Sequence, residues 1–188
     1  MIPIRYSLAF VLTVLLTGCG ITPKQPDVHD FGLAPTVIYS NKRAIPTIDI
    51  DAPKWLWDTR IRYRLLYKSP TQVNFYMLHR WIATPPELFK QQLTMQANAL
   101  RYPLSIVFLD FEQQFTSAKQ AKVFMRMSVT AFSSDNKPLA TREFQWQRLS
   151  PSADAEGAVQ GFAYLARTAV SEIDSWLAGL PTRLNWDK

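Results

Sequence analysis

The chain has 188 residues, 47% of them hydrophobic and 13% aromatic, which suffices for one well-packed domain and is short for two. Charged residues make up 19%, too few for a largely disordered chain. The formal net charge is +6, yet no basic run of five or more occurs. The composition therefore argues against a nucleic-acid partner and suits work near anionic lipid head groups.

Residues 1–18 read as an export signal. Arg5 is the one charge ahead of Leu8–Leu16, a stretch apolar apart from Thr13. A membrane span needs about 20 apolar residues, and small or polar residues from Thr17 onward end this run at about half that length. Leu16-Thr17-Gly18-Cys19 resembles the bacterial lipobox. The resemblance implies a diacylglycerol thioether on Cys19, cleavage after Gly18 and acylation of the new amino terminus. These covalent acyl chains are the only non-protein groups expected, and no separate cofactor is. At about 0.8 kcal/mol per buried methylene, several chains make an essentially permanent anchor. Gly20 stands where enterobacterial lipoproteins retained in the inner membrane carry an aspartate, which favours the periplasmic face of the outer membrane. Cys19 is also the sole cysteine, so neither an intramolecular disulfide nor a cysteine-based zinc site is available.

Residues 19–46 read as the acylated terminus and a tether rich in proline (Pro23, Pro26, Pro35, Pro46), with a short edge strand over 30–34. Residues 47–188 read as the periplasmic domain. Thr47–Asp51 alternates with period two and is stopped by Pro53; Trp55-Leu56-Trp57 follows in a loop or turn. Ile61, Tyr63, Leu65 and Tyr67 share one strand face, with Arg62 and Arg64 on the other. Val73–Tyr76 reads as a further short strand. Thr84, Pro85 and Glu87 then form a capping box that opens a helix, whose apolar stripe is Leu88, Phe89, Leu93, Ala97 and Leu100. Three strands follow, near Leu104–Phe115, Lys122–Ser133 and Leu139–Arg148, joined by short turns as in an antiparallel meander. Val159, Phe162, Ala166, Ala169, Ile173, Trp176 and Leu180 recur every three or four residues, so about Asp154–Leu180 is a second helix. Gly157 and Gly161 inside it point to close packing or a frayed first turn. The expected fold is α/β of the α+β type: a single domain with a mostly antiparallel sheet and two amphipathic helices on one face.

The chemistry-bearing motifs are few. Asp110 and Glu112 share a strand face about 7 Å apart, a spacing two glycosidase carboxylates could have. A solvated strand face is the plainer reading. There is no Gly-x-Ser-x-Gly elbow and no phosphate-cradling Gly-x-x-x-x-Gly-Lys loop. His29 and His79 are far apart in sequence and read as ordinary loop residues. No catalytic residue and no metal ligand is assigned, and the protein is not expected to be an enzyme.

One ordered set of residues does resemble a known family. Trp55-Leu56, Ile61-x-Tyr63-Arg64, Tyr76, Arg80-Trp81, Pro85-Pro86 and Leu88 lead into Phe111-Glu112-Gln113-Gln114-Phe115. Arg142-Glu143-Phe144, Ala155-Glu156-Gly157 and Trp176-Leu177 follow. The set, spread over roughly residues 30–180, resembles the ABC-type transport auxiliary lipoproteins, which include the paraquat-inducible PqiC type associated with membrane integrity. The resemblance implies an accessory that docks a mammalian-cell-entry-type (MCE) periplasmic protein of an ABC transporter moving lipids between membranes. It supplies no catalytic residues. A periplasmic lipid-binding carrier is the alternative. Trp55, Trp57, Arg80 and Trp81 are the expected partner-binding positions, because tryptophan and arginine dominate interface hot spots. Self-association is left open.

Overall fold

The computed structural model describes residues 24–32, 46–96 and 101–181. The signal segment, Cys19 and residues 33–45 lie outside them, as do Ala97 and Leu100 of the first helix's expected stripe. Within them the elements run β1 (Asp27–His29), β2 (Ile48–Asp51), a single 3-10 turn (Lys54–Leu56), β3 (Arg60–Leu65), β4 (Val73–Trp81), α1 (Pro85–Gln96), β5 (Leu104–Ser117), β6 (Gln120–Phe132), β7 (Pro138–Leu149) and α2 (Ala155–Ala178).

The strands form one sheet in the order β1-β4-β3-β5-β6-β7, and β2 joins it beside β5. Both helices cover one face. The α+β fold is as expected, but the sheet is mixed. Antiparallel pairing joins β3–β4, β5–β6 and β6–β7, whereas β1–β4, β2–β5 and β3–β5 are parallel. Short turns force the β5–β7 meander to be antiparallel; α1, inserted between β4 and β5, reverses the chain and lets β5 enter parallel to β3.

β2 and β3 lie end to end along one side of β5. Ile48–Asp51 pairs with Leu104–Val107, and Tyr63–Leu65 with Gln113–Phe115. Between them the chain leaves the sheet through Pro53 and the 3-10 turn. β4 is longer than expected, because its outer half, Met77–Trp81, pairs at His79–Trp81 with β1. Met77 and Leu78 are solvent-exposed apolar residues that hide the alternation there. The edge strand expected at 30–34 sits instead at Asp27–His29, and Phe31 just beyond it is 1% exposed.

The core fills the layer between sheet and helices. From α2, Phe162, Leu165, Ala166, Ala169 and Ile173 are buried against Val123, Met125 and Met127 of β6. The Phe162 ring stacks on Phe111 of β5 with centroids 3.8 Å apart. Trp81 meets Phe31, Phe111 and Phe162 edge-on. From α1, Leu88, Phe89 and Leu93 are buried, and Phe89 meets Phe108 edge-on. Gln113 is fully buried among them and satisfied: it accepts from the Tyr76 hydroxyl at 2.6 Å and donates to Ser150 Oγ and the Asp154 carbonyl.

The helix starts follow the sequence. The Thr84 amide and hydroxyl both donate to Glu87 Oε2, at 3.0 and 2.7 Å. Those bonds hold the Glu87 carboxyl below its ordinary pKa. Asp154 caps α2 by accepting from the Gly157 amide at 2.8 Å.

β5 carries a bulge. Phe108 pairs with Met127 and Asp110 with Arg126, so Leu109 is an extra residue. Ahead of it Leu104, Ile106 and Phe108 face the helices; after it Phe111, Gln113 and Phe115 do.

Gly157 and Gly161 mark close approach. A Cβ on Gly157 would overlap the Ser152 carbonyl, and one on Gly161 would lie 2.7 Å from Val123 Cγ2. Gly161→Ala should therefore destabilise the protein by about 1–3 kcal/mol through overpacking. Combining it with Val123→Ala should cost less than the two single changes added together, a coupling measurable by urea unfolding. Strict additivity would show that α2 does not seat on β6 this tightly.

Candidate functional site

The face of the sheet away from the helices is polar and carries a groove of about 510 Å³ beside the break between β2 and β3. Trp55, Arg62, Arg64, Phe75, Asp110 and Glu112 line it. Strand alternation explains the set: Ile61 and Tyr63 turn to the helix side, so Arg60, Arg62 and Arg64 turn to the open side. The Leu109 bulge brings Asp110 and Glu112 to the same side.

Arg64 and Glu112 form a forked pair. Arg64 Nε reaches Glu112 Oε1 at 3.1 Å and Arg64 Nη2 reaches Oε2 at 3.1 Å, while Nη1 donates to the Pro70 carbonyl. Gln114 also donates to Glu112. Arg62 is less well provided for. Its guanidinium lies 3.9 Å from the centre of the Trp55 ring and Nη2 is 3.6 Å from Glu112 Oε2. Its side chain is 9% exposed, yet Nε and Nη1 are buried without a hydrogen-bond partner. Burial pulls the Arg62 pKa below its ordinary value; Glu112 opposes that shift and Arg64 adds to it. Asp110 is held by Arg126 at 2.8 Å, and Arg126 also reaches Glu143 at 3.4 Å. Arg60 stacks on Phe75 at 3.9 Å and bonds Asp58.

Asp110 and Glu112 do share a face, but each is engaged by arginine. The groove offers an aromatic wall and a desolvated guanidinium with two donors unused. Chemically, such a surface complements an acidic group set beside an apolar one.

The four residues singled out from the sequence do not converge. Trp55 lies within the 3-10 turn and Trp57 directly follows it, at 45% and 42% exposure, and Trp57 Nε1 donates to the Ala52 carbonyl. Arg80 is exposed on β4 opposite Arg60. Trp81 is 1% exposed and belongs to the core, so it cannot contact a partner. Alternation along β4 decides this: neighbouring residues of a strand face opposite sides. Sequence reasoning missed Arg62, Arg64 and Phe75 as groove residues. The available signal was Arg60-Ile61-Arg62-Tyr63-Arg64, three arginines on one strand face with Asp110 and Glu112 on another.

No family model matches the chain, and no curated protein matches it. Solved structures do share the fold. A DUF330-family protein of Xanthomonas campestris superposes with a TM-score of 0.63 at 16% identity, over 80% of this chain and 93% of its own. An uncharacterized protein superposes with a TM-score of 0.65 at 11% identity, over 81% of this chain and 99% of its own. At these identities the likeness is one of fold.

The two carboxylates should differ in worth. Glu112→Ala leaves two arginines uncompensated, one of them buried, and should cost about 3–5 kcal/mol. Asp110→Ala breaks a more exposed pair and should cost less than about 1 kcal/mol. Denaturant midpoints of the two variants measure the contrast, and equal losses would remove the distinction drawn between the pairs.

Proposed function

We propose that this protein is an outer-membrane-anchored lipoprotein acting without catalysis as a docking component of an ABC-type intermembrane lipid transport system. Its partner is the MCE-type periplasmic protein of that system. One observation carries the reading. The residues that resemble the ABC-transport auxiliary lipoproteins fall where this fold uses them: Trp55, Arg64 and Glu112 around one groove, and Ile61, Trp81, Phe111 and Leu177 in the core. The fold shared with a DUF330 protein supports it, since DUF330 is the PqiC-like family. No helix among the described residues is long and apolar enough to cross a membrane, and the lipobox provides an anchor of its own.

Docking is favoured over lipid carriage by how the interior is filled. A carrier needs an enclosed apolar cavity. Among the described residues, the layer between helices and sheet holds the stacked and edge-on rings of Phe111, Phe162, Trp81 and Phe31. The groove's arginine-bound carboxylates also leave no free acid–base pair of the kind a hydrolase would use.

The test has two arms in the native envelope. Cys19→Ala should leave the protein in the soluble periplasmic fraction. A photo-crosslinking residue at position 55 should capture the MCE-type protein, whereas one at Tyr164, exposed on α2, should not. Capture from both positions alike, or from neither, would refute the groove as the docking face.

A further inference from the structure

The chain has two histidines, 50 residues apart in sequence, and the fold brings them together. β1 pairs parallel with β4 so that Asp27 faces His79 and His29 faces Trp81, which puts both imidazoles diagonally on one face. His29 Nε2 lies 3.0 Å from His79 Nδ1, with the rings 19° from parallel. Glu156, in the first turn of α2, places Oε1 3.8 Å from His79 Nδ1. One ligand atom from each of the three residues falls within 4.8 Å of the others.

The geometry points to a divalent zinc site built from His29, His79 and Glu156. Zinc takes imidazole nitrogen and carboxylate oxygen at about 2.0–2.2 Å, and a tetrahedral ion separates two such nitrogens by about 3.3 Å. The two imidazole nitrogens stand a few tenths of an ångström closer than that and face each other head-on, so taking up an ion requires both rings to turn toward it. Two imidazoles with one carboxylate match the donor set zinc accepts, and three protein ligands leave a fourth position for water.

The neighbouring carboxylates are committed elsewhere. Asp154 Oδ1 accepts from the Gly157 amide and from Ser152 Oγ, and Asp30 Oδ1 accepts from the Gly32 amide. Glu156 is the acid whose oxygen lies beside the histidines, 3.8 Å from His79 Nδ1. A direct His–His hydrogen bond would explain the 3.0 Å contact alone; it does not explain the third ligand arriving from a separate element. An ion here would clasp β1 to β4 and to the start of α2. It would hold the short strand nearest Cys19 in place.

The full-length protein, purified in detergent and stripped with a chelator, should bind one Zn²⁺ per chain in competition with a chromophoric indicator. Its dissociation constant should be roughly micromolar or tighter. His29→Ala and His79→Ala should each weaken binding by about tenfold or more, and Glu156→Gln, at a half-exposed position, should weaken it without touching the fold. Zn²⁺ should also slow hydrogen exchange across residues 27–32 in the parent protein and not in His79→Ala, with circular dichroism confirming that the variants are folded. Binding that survives His79→Ala undiminished, or no binding above the level of the His29→Ala/His79→Ala double variant, would overturn the assignment. So would bound zinc that leaves exchange at 27–32 unchanged.

Discussion

A single inserted residue in the central strand sets the two faces of this molecule. β5 pairs with β2, β3 and β6, so its side-chain phase is imposed on most of the sheet. Without the bulge at Leu109, the period of two that buries Leu104, Ile106 and Phe108 would also bury Asp110 and Glu112. Two carboxylates in the helix-facing layer would cost several kcal/mol each in desolvation. With the bulge, Phe111 enters that layer and stacks on Phe162, Gln113 bonds Tyr76, and both carboxylates emerge opposite arginines. Core and groove therefore stand or fall together.

The groove's electrostatics are balanced more narrowly than its list of charges implies. Arg62 and Glu112 at 3.6 Å attract by about 4–5 kcal/mol at an effective dielectric of about 20. Desolvating a guanidinium costs several kcal/mol, which cancels most of that gain. The Trp55 ring over Arg62 contributes about 2 kcal/mol for a desolvated cation and tips the sum toward the buried position. Two guanidinium nitrogens, Nε and Nη1, are buried without a hydrogen-bond partner, so Trp55 and Glu112 satisfy this cation only in part. Arg62 is thus held in place by the fold without being fully satisfied by it.

The sequence was most legible where signals are local. The Thr84–Glu87 box, the β5–β7 meander and the stripe of α2 each depend on residues a few positions apart, and all three are present. Gly161 in α2 is explained by Val123, a contact only the folded sheet supplies. What could not be read depends on distant pairing. β1 is three residues, Asp-Val-His, too short to show a period, and its partner lies some 50 residues on. The outer half of β4 carries exposed Met77 and Leu78, so its pattern resembles neither strand nor helix. Missing that pairing cost three things at once: the parallel edge, the burial of Trp81, and the meeting of His29 with His79.

The same pairing changes what the lipid proposed for Cys19 would do. Were residues 19–46 all tether, the first fixed strand would be β2, and 29 residues of extended chain would reach about 100 Å from the bilayer. With β1 docked, only seven residues lie between Cys19 and Asp27, and the span reaches at most about 29 Å. β3 and β5, which carry the groove, lie two and three strand spacings from β1, about 10–15 Å further. On the proposed anchoring, β3 and β5 would then lie within about 45 Å of the lipid attachment. That limit holds as long as three residues stay in a parallel edge pairing, the weakest kind of ladder in the sheet. Phe31 in the core and the His29–His79–Glu156 cluster are the features that hold this strand down. On the proposed anchoring, the domain's reach from the lipid is accordingly decided at β1 and not at the groove.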